Sequence, residues 1–476
     1  MSNLTEEIKN LRKAGRIDEA YSRGHELLKQ HPNDKFLASS LGWVLYDKVK
    51  KLIDTANQSQ SIDSETSVSQ LREILAEYYK LKLTRPDLLF SRLLSQIVRL
   101  KKEIKFLPKF VKWAGIDSFG SEDFQVSTAN DGKVYESLVE KTAREVGKIA
   151  CELTVQDYPD VQELQNFAVK LIDVALDRAK VQKPEWLNYR KALLLNRLGR
   201  APEAQKLLVS FVKQKRSDYW AWHALAKVVE TSDSQLALAL CAKACLTCRD
   251  ENFGVSVFED LSRLAANRGQ GEVAKWAAYR AFAVRNNNGW KIPQSLRNLL
   301  TASWYDRAGN LSNPEEVLEN IAASAEKVIW QSCPRFHANY LGTFAAKTGK
   351  IMLKFGLHSH SGSEEVVTPD QGMLKNLNLP MGAPVTLTVD KNGERLTVLA
   401  VEKRESGKLF DSMSCKTGRF RLHQSGFGFV ENVYVPHELA GQLQNEQTVN
   451  VAVVKRFDKK KNTWGLTASA ILRNEN

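Results

Sequence analysis

Apolar residues recur every three or four positions through the first two-thirds of the chain and every second position through the last third. Up to about residue 330, long amphipathic segments alternate with short turns carrying Gly, Pro, Asn or Asp, and β-branched runs are few. That pattern predicts helices, each packed through one apolar face. From about residue 335, short alternating runs are broken by turn residues, which predicts strands. The expected fold class is therefore a multidomain α plus all-β chain, with the helices first.

Three copies of one turn organise the helical part. Gly15-Arg16-Ile17-Asp18-Glu19-Ala20 is followed by Pro32, Asn33, Leu41-Gly42 and Tyr46. Gly199 to Ala204 repeats the turn, with Trp222, Leu225 and Ala226 where the next helix should pack; Gly269 with Ala274, Ala278 and Ala281 gives a third copy. Small residues at these positions let neighbouring helices approach closely. The pattern resembles the tetratricopeptide (TPR) repeat. It implies a TPR-like α-helical solenoid over residues 1–335, whose extended surface docks protein partners.

Two stretches interrupt the repeat. Residues 56–67 are polar and predict a linker or loop. Residues 99–113 mix six cations with one acid and three aromatics. They read either as a second nucleic-acid contact or as an amphipathic helix pair kinked at Pro108. The near-helical spacing of the aromatics favours core.

The β-region repeats itself. Gly342-Thr-Phe344 parallels Gly418-Arg-Phe420, and Gly349-Lys-Ile-Met-Leu353 parallels Gly426-Phe-Gly-Phe-Val430. Val366 to Pro369 parallels Val433 to Pro436, and Val385 to Val389 parallels Val449 to Val453. Five short strands per pass suit two tandem small OB-type barrels, at 336–412 and 413–473, an architecture that removes most exposed sheet edges.

Within the second pass, Phe427 and Phe429 are two apart and share a strand face, with Gly426 and Gly428 leaving that face uncrowded. Arg419 and Arg421 lie just upstream. Two readings compete: a half-buried core hairpin, or an aromatic platform on which single-stranded bases stack beside cations. The first pass has lost these aromatics while keeping the strand order, so the barrel does not require them, which favours the platform. Lys455, Arg456, Lys459, Lys460 and Lys461 form a basic hairpin that is either a phosphate contact or a solvated turn. Trp464 beyond it reads as barrel core or as a further stacking surface, with core favoured.

Charge and cysteine usage narrow the setting. A net charge of +13 and a pI near 9.3 favour a polyanionic partner, nucleic acid first. The N-terminus lacks a signal-peptide pattern, and no apolar run approaches the ~18 residues of a membrane span. Six cysteines, three of them clustered, fit a reducing cytoplasm better than a disulfide framework.

Motifs for catalysis fail on context. Cys241, Cys245 and Cys248 have the spacing of a radical-SAM cluster loop but lie in a strongly helical run, where cysteine acts as a small hydrophobe. Gly342 to Lys350 loosely resembles a phosphate loop, but its glycines are too far apart and Ile351 stands where a hydroxyl is needed. His358 and His360 have no obvious third ligand. No enzyme activity, cofactor or metal is expected.

Gly426-Phe-Gly-Phe-Val430 followed by Val433-Tyr-Val-Pro-His437 resembles the two nucleic-acid-binding motifs of cold-shock domains. The resemblance implies base stacking by Phe427, Phe429 and Tyr434, a further contact at His437, and Phe420 near the platform or in the core. Arg421-Leu422-His423-Gln424 departs from the family's Lys-Trp-Phe-Asn segment, leaving His423 to stack in place of a lost aromatic. The whole layout resembles the TPR/OB component of bacterial TOTE conflict systems. The expected function is a non-enzymatic adaptor that binds single-stranded RNA or DNA through the last OB domain and protein partners through the solenoid. The alternative is a purely protein-binding scaffold whose OB domains mediate assembly.

Overall fold

The computed structural model describes residues 3–58, 64–100, 104–305, 311–331, 333–358, 364–369, 378–392, 395–458 and 463–472. Among these, the chain first forms α1 (Asn3–Lys13), α2 (Ile17–Gln30), α3 (Lys35–Gln58), α4 (Ser64–Lys80), α5 (Leu88–Ile97) and α6 (Leu107–Ala114). A two-strand ribbon, β1 (Ser127–Thr128) and β2 (Val134–Tyr135), precedes α7 (Leu138–Glu152) and α8 (Val161–Arg178). Then come α9 (Pro184–Arg197), α10 (Ala201–Gln214), α11 (Tyr219–Val229), α12 (Ser234–Thr247), α13 (Glu251–Asn267) and α14 (Gly271–Asn287). Helices α15 (Gln294–Leu300) and α16 (Pro314–Trp330) end the helical part. The chain divides into two units, Met1–Ala322 and Ala323–Asn476.

The three repeated glycines make one and the same turn. Gly15, Gly199 and Gly269 have φ of +73°, +75° and +71°, a backbone that costs other residues about 1–2 kcal/mol. After each, the next residue donates its N–H to a carbonyl one helical turn back. Arg16 bonds Leu11 at 3.0 Å, Arg200 bonds Leu195 at 2.8 Å, and Gln270 bonds Ala265 at 2.9 Å. These bonds close the C-termini of α1, α9 and α13 and return the chain as α2, α10 and α14. Gly289 makes a fourth such turn, with Trp290 bonded to Arg285 at 2.8 Å. Side chains of Asp87, Ser137, Asp233 and Asp250 cap the starts of α5, α7, α12 and α13.

From α9 to α14 each helix packs on its sequence neighbours, as in a solenoid. Ala204, Ala221, Ala237, Ala244, Ala274, Ala278 and Ala281 are fully buried, which allows the close approach. Trp222 is fully buried and its indole N–H donates to the Arg216 carbonyl at 2.8 Å. Cys241 and Cys245 are buried in α12, and burial pushes both thiols well above their ordinary pKa. That environment opposes the thiolate form a metal or a nucleophile requires.

Two expectations change here. Residues 56–58 finish α3 and 64–67 open α4, with Ala56 and Ser67 buried, so the polar composition marks helix ends; 59–63 lie outside the described residues. Pro108 starts α6 instead of kinking a helix, a position where its missing N–H costs nothing. Phe106 and Phe110 are buried, and Trp113 carries the Arg85 guanidinium 4.1 Å above its ring. The cations around them are engaged: Lys105 with Asp157 at 2.8 Å, Lys112 with Glu163, and Arg99 with Asp54 at 3.3 Å. This stretch is core with a paired surface; Lys101 and Lys102 lie outside the described residues.

The second unit contains two β-domains of one topology. The first has β3 (Arg335–Ala345), β4 (Ile351–His358), β5 (Glu364–Val367), β6 (Pro384–Asn392) and β7 (Arg395–Lys403), paired in the order β5-β4-β3-β6-β7. The second has β8 (Ser414–Leu422), β9 (Gly428–Val430), β10 (Val433–Val435), β11 (Thr448–Asp458) and β12 (Thr463–Leu472), with a one-turn helix α17 (His437–Ala440) after β10. Its strands close a barrel in the order β10-β12-β11-β8-β9. Ranked within each domain, the first order reads 3-2-1-4-5, and so does the second when its ring is followed from β10 through β9. A parallel β10–β12 pair closes the second, and among the described residues the first has no equivalent pairing. The loosely phosphate-loop-like string Gly342 to Lys350 is the β3–β4 hairpin, turned at Gly349 with φ +77°.

Each barrel fills its own interior, the first with Leu353, Phe355, Leu357, Val385, Leu387 and Val389, the second with Phe420, Val430, Val433, Val435, Val451 and Val453. A separate apolar seam joins the two: Leu341, Phe410, Ala452, Val454 and Ala470 are buried together, with Met413 and Leu472 against them. The segment between barrels is held as firmly. Buried Asn339 donates to the Gly382 carbonyl at 3.0 Å and accepts from the Ser412 N–H at 2.8 Å. Arg404 donates to Asp411 at 2.9 Å and to the Ser412 hydroxyl at 2.9 Å. Burial alone would raise the Asp411 pKa, but hydrogen bonds from Arg404, Ser412, the Lys408 N–H and Asn339 outweigh it and hold it at about 2.

Phe420 corrects a site expectation. Its ring is fully buried beneath β9, and a Cβ on Gly428 would stand 2.2 Å from it. It belongs to the core and cannot meet a ligand.

Two outcomes follow from this packing. Gly428→Ala must displace Phe420 or β9, so the second unit should lose about 1–3 kcal/mol of stability, read by denaturant unfolding. The Asp411 pKa lies below its unfolded value near 3.9, so the stabilisation it brings is complete above about pH 4 and lost as pH falls towards 2. The stability gap between the natural chain and Asp411→Asn should therefore shrink across that window in acid titrations of thermal melting.

Candidate nucleic-acid interface

Strand alternation decides which side chains of the second barrel face solvent. In β8, β9 and β10, Phe420, Val430, Val433 and Val435 point inward, while Arg419, Arg421 and Phe429 are exposed and Tyr434 is half-buried. Register lines up the outward residues. Arg421 pairs with Phe429, Phe429 with Tyr434, and Tyr434 with Thr467 of β12.

The turn before β9 brings in two more rings. The Gly426 N–H donates to the His423 carbonyl at 2.9 Å, and the His423 N–H to the Phe427 carbonyl at 2.7 Å. Gly426 has φ +80°, and a Cβ there would stand 3.0 Å from His437 Nδ1. The Ser425 N–H donates to His423 Nδ1 at 3.2 Å, fixing the imidazole. His423 thereby stacks on Phe427 with centroids 4.3 Å apart and planes 10° from parallel.

Phe427 is the hub of a five-ring cluster. Its centroid is 5.8 Å from Phe429, 5.4 Å from Tyr434 and 5.9 Å from His437, and Phe429 lies 5.9 Å from Tyr434. Phe429 is 39% exposed, His423 and His437 are exposed, and Phe427 and Tyr434 are half-buried. Flat faces are thus offered to solvent from side chains already held in place by one another.

The predicted cations surround this cluster unequally. Arg421 has no ion-pair partner among the described residues, whereas Arg419 lies 3.8 Å from Glu446, both exposed, a pairing of little strength. Lys455 and Arg456 are exposed on β11, with the Lys455 ammonium 5.8 Å above the Trp464 ring. Lys459, Lys460 and Lys461 lie outside the described residues, as does His360.

Trp464 is a second correction. It is 63% exposed, not core. It pairs with Phe457 in the part of the β11–β12 hairpin that extends past Leu466, whose side chain packs against the core. Alternation correctly gives it the same face as Leu466. What sequence reasoning missed is that the hairpin outruns the barrel at that point.

The site offers exposed aromatic faces with cations beside them. Among the described residues no group of three or more potential metal ligands is present, and no helix is long and apolar enough to cross a membrane.

Comparisons with known proteins locate the two halves separately. Residues 416–471, which carry β8 to β12, match a family model described as S1/CSD-like domain 2 of the TOTE conflict systems. Residues 185–325, from α9 into α16, match one described as a domain of unknown function, DUF7017. Comparison with curated protein sequences finds no match. Among solved structures the chain is similar to the TPR2AB-domain:pHSP90 complex of yeast Sti1, at 13% identity, covering 68% of this chain and 96% of that chain with a TM-score of 0.21. That overlay is too loose to carry a fold or a function, and the solenoid rests on the turns and packing of α9 to α14. The S1/CSD-like match falls on the barrel that bears the five-ring cluster.

Proposed function

We propose that this protein is a non-enzymatic adaptor whose second OB domain binds single-stranded RNA or DNA and whose helical repeats dock protein partners. The observation that carries the reading is the convergence of His423, Phe427, Phe429, Tyr434 and His437 into one partly exposed cluster beside Arg421. Aromatic faces tolerate any base, and neighbouring cations hold the backbone without reading sequence. The S1/CSD-like match of this barrel supports the same ligand class. It also supports a setting in a bacterial conflict system of the TOTE type, where a cytoplasmic sensor or regulator would act on invading nucleic acid.

The departure at Leu422 sets the strength. Leu422 is exposed on β8 with its N–H held by the Asn445 carboxamide oxygen at 2.9 Å, where the cold-shock pattern has an aromatic. One platform fewer predicts modest affinity.

Phe427→Ala and Phe429→Ala should each weaken binding of a labelled single strand by about 1–3 kcal/mol, roughly 5- to 150-fold, in a gel-shift or anisotropy titration at moderate salt. Unchanged affinity in a variant with native circular dichroism would sink the platform. Absence of any shift by the natural protein at micromolar concentration would leave the protein-binding scaffold as the better account.

A further inference from the structure

The first barrel lacks the aromatics, yet one of its cations stands where the second barrel's site runs out. In β4, Leu353, Phe355 and Leu357 point into the first barrel, so Lys354 and Gly356 lie on its outer face. That face abuts the seam: a Cβ on Gly356 would meet Met413 at 2.7 Å and Leu341 at 3.0 Å. In β11, Ala452 and Val454 belong to the seam, and Arg456 continues the same face to its open end. Lys354 and Arg456 therefore approach one another from different barrels.

Neither Lys354 nor Arg456 has an ion-pair partner among the described residues, and Lys354 is only half-exposed. Burial first, and repulsion from Arg456 second, push the Lys354 ammonium below its ordinary pKa. Two like charges held near one another by an apolar seam repel, and an anion placed between them relieves that repulsion.

On the face between this pair and the aromatic cluster, Thr467 is buried and Gly465 is exposed. Tyr434 pairs with Thr467, and two residues along β12 on the same face is Gly465, paired with Arg456. Gly465 is exposed, and a Cβ there would meet nothing within 4 Å. From β10 to β11 is two strand spacings, about 10 Å. A single strand leaving Tyr434 thus has to pass the buried Thr467 and then finds open space at Gly465 beside Arg456.

We propose that the nucleic-acid path is composite: a single strand stacked on Phe427, Phe429 and Tyr434 continues over Gly465 and places a phosphate between Arg456 of the second barrel and Lys354 of the first. The inference rests on the single-strand reading above and assigns the first barrel a backbone contact, with base stacking left to the second. Its ligand is the sugar-phosphate backbone, so RNA and DNA are both admitted.

The test compares oligothymidylates and oligouridylates of about three and about ten nucleotides on the full chain, with the variants Lys354→Gln, Arg456→Gln and the double variant. Gln removes the charge while keeping a polar, though shorter, side chain. The longer oligomers should lose affinity several-fold in each variant, and the slope of log affinity against log salt should fall by about 0.7 per lost contact. The short oligomers, which reach only the cluster, should bind as before. Equal effects on short and long oligomers, or none on either, overturn the composite path while leaving the platform standing. If the natural chain binds no oligomer, or if Phe427→Ala binds the short ones unchanged, the platform fails and the path with it. Thymidylate and uridylate arms that respond alike to the variants are expected, because the contact is to phosphate.

Discussion

The packing of Phe420 beneath Gly428 is the contact on which the exposed aromatic face depends. A strand as short as β9 has little of its own to set its register. With the Phe420 ring filling the space a side chain at 428 would need, β9 can lie in only one way against β8. A shift by one residue would turn Phe427 and Phe429 inward and expose Val430. One glycine and one buried ring therefore decide that two other aromatics face water. The turn at Gly426 then adds His423 and His437 to the same face.

The two barrels show what a common strand order does and does not require. Both bury aliphatic side chains from alternating positions, and both follow one path through the sheet. Among the described residues, only the second carries the outward cluster of Phe427, Phe429 and Tyr434 and a closing β10–β12 pair. The aromatics are thus additions to a fold that stands without them, which is why their exposure bears on function. The seam through Leu341, Phe410 and Val454 removes apolar surface from both domains and gives the pair a shared outer face.

Much of this was legible in the sequence because it rests on local rules. A glycine at each of residues 15, 199 and 269 announces a left-handed turn, since no other residue adopts that backbone as cheaply, and the small residues downstream mark close helix packing. The fourth turn at Gly289 lacked the neighbouring repeat signature and was missed. Alternation by two placed Phe427 and Phe429 correctly on one face. It also put Phe420 near them, because spacing gives direction only relative to a strand whose inner side is known. Pro108 was misread because a proline both breaks and begins helices, and its neighbours alone do not decide which. Trp464 was misread because alternation says nothing of how far a hairpin projects. The seam, and the Asn339–Ser412 and Arg404–Asp411 contacts that hold the connecting segment, join residues from 7 to 129 positions apart by no pattern a linear reading can detect.

That connecting segment has a consequence for entropy. Two domains on a slack tether must be brought into register each time a ligand touches both, and the lost freedom subtracts from affinity. Here Asn339, Arg404 and Asp411 have already fixed the chain from Arg404 to Ser412, and the ordering occurred once, when the unit folded. A ligand that spans both barrels meets a single preformed surface, so each added contact contributes close to its full strength. A site short of one aromatic platform can in this way recover affinity through rigidity.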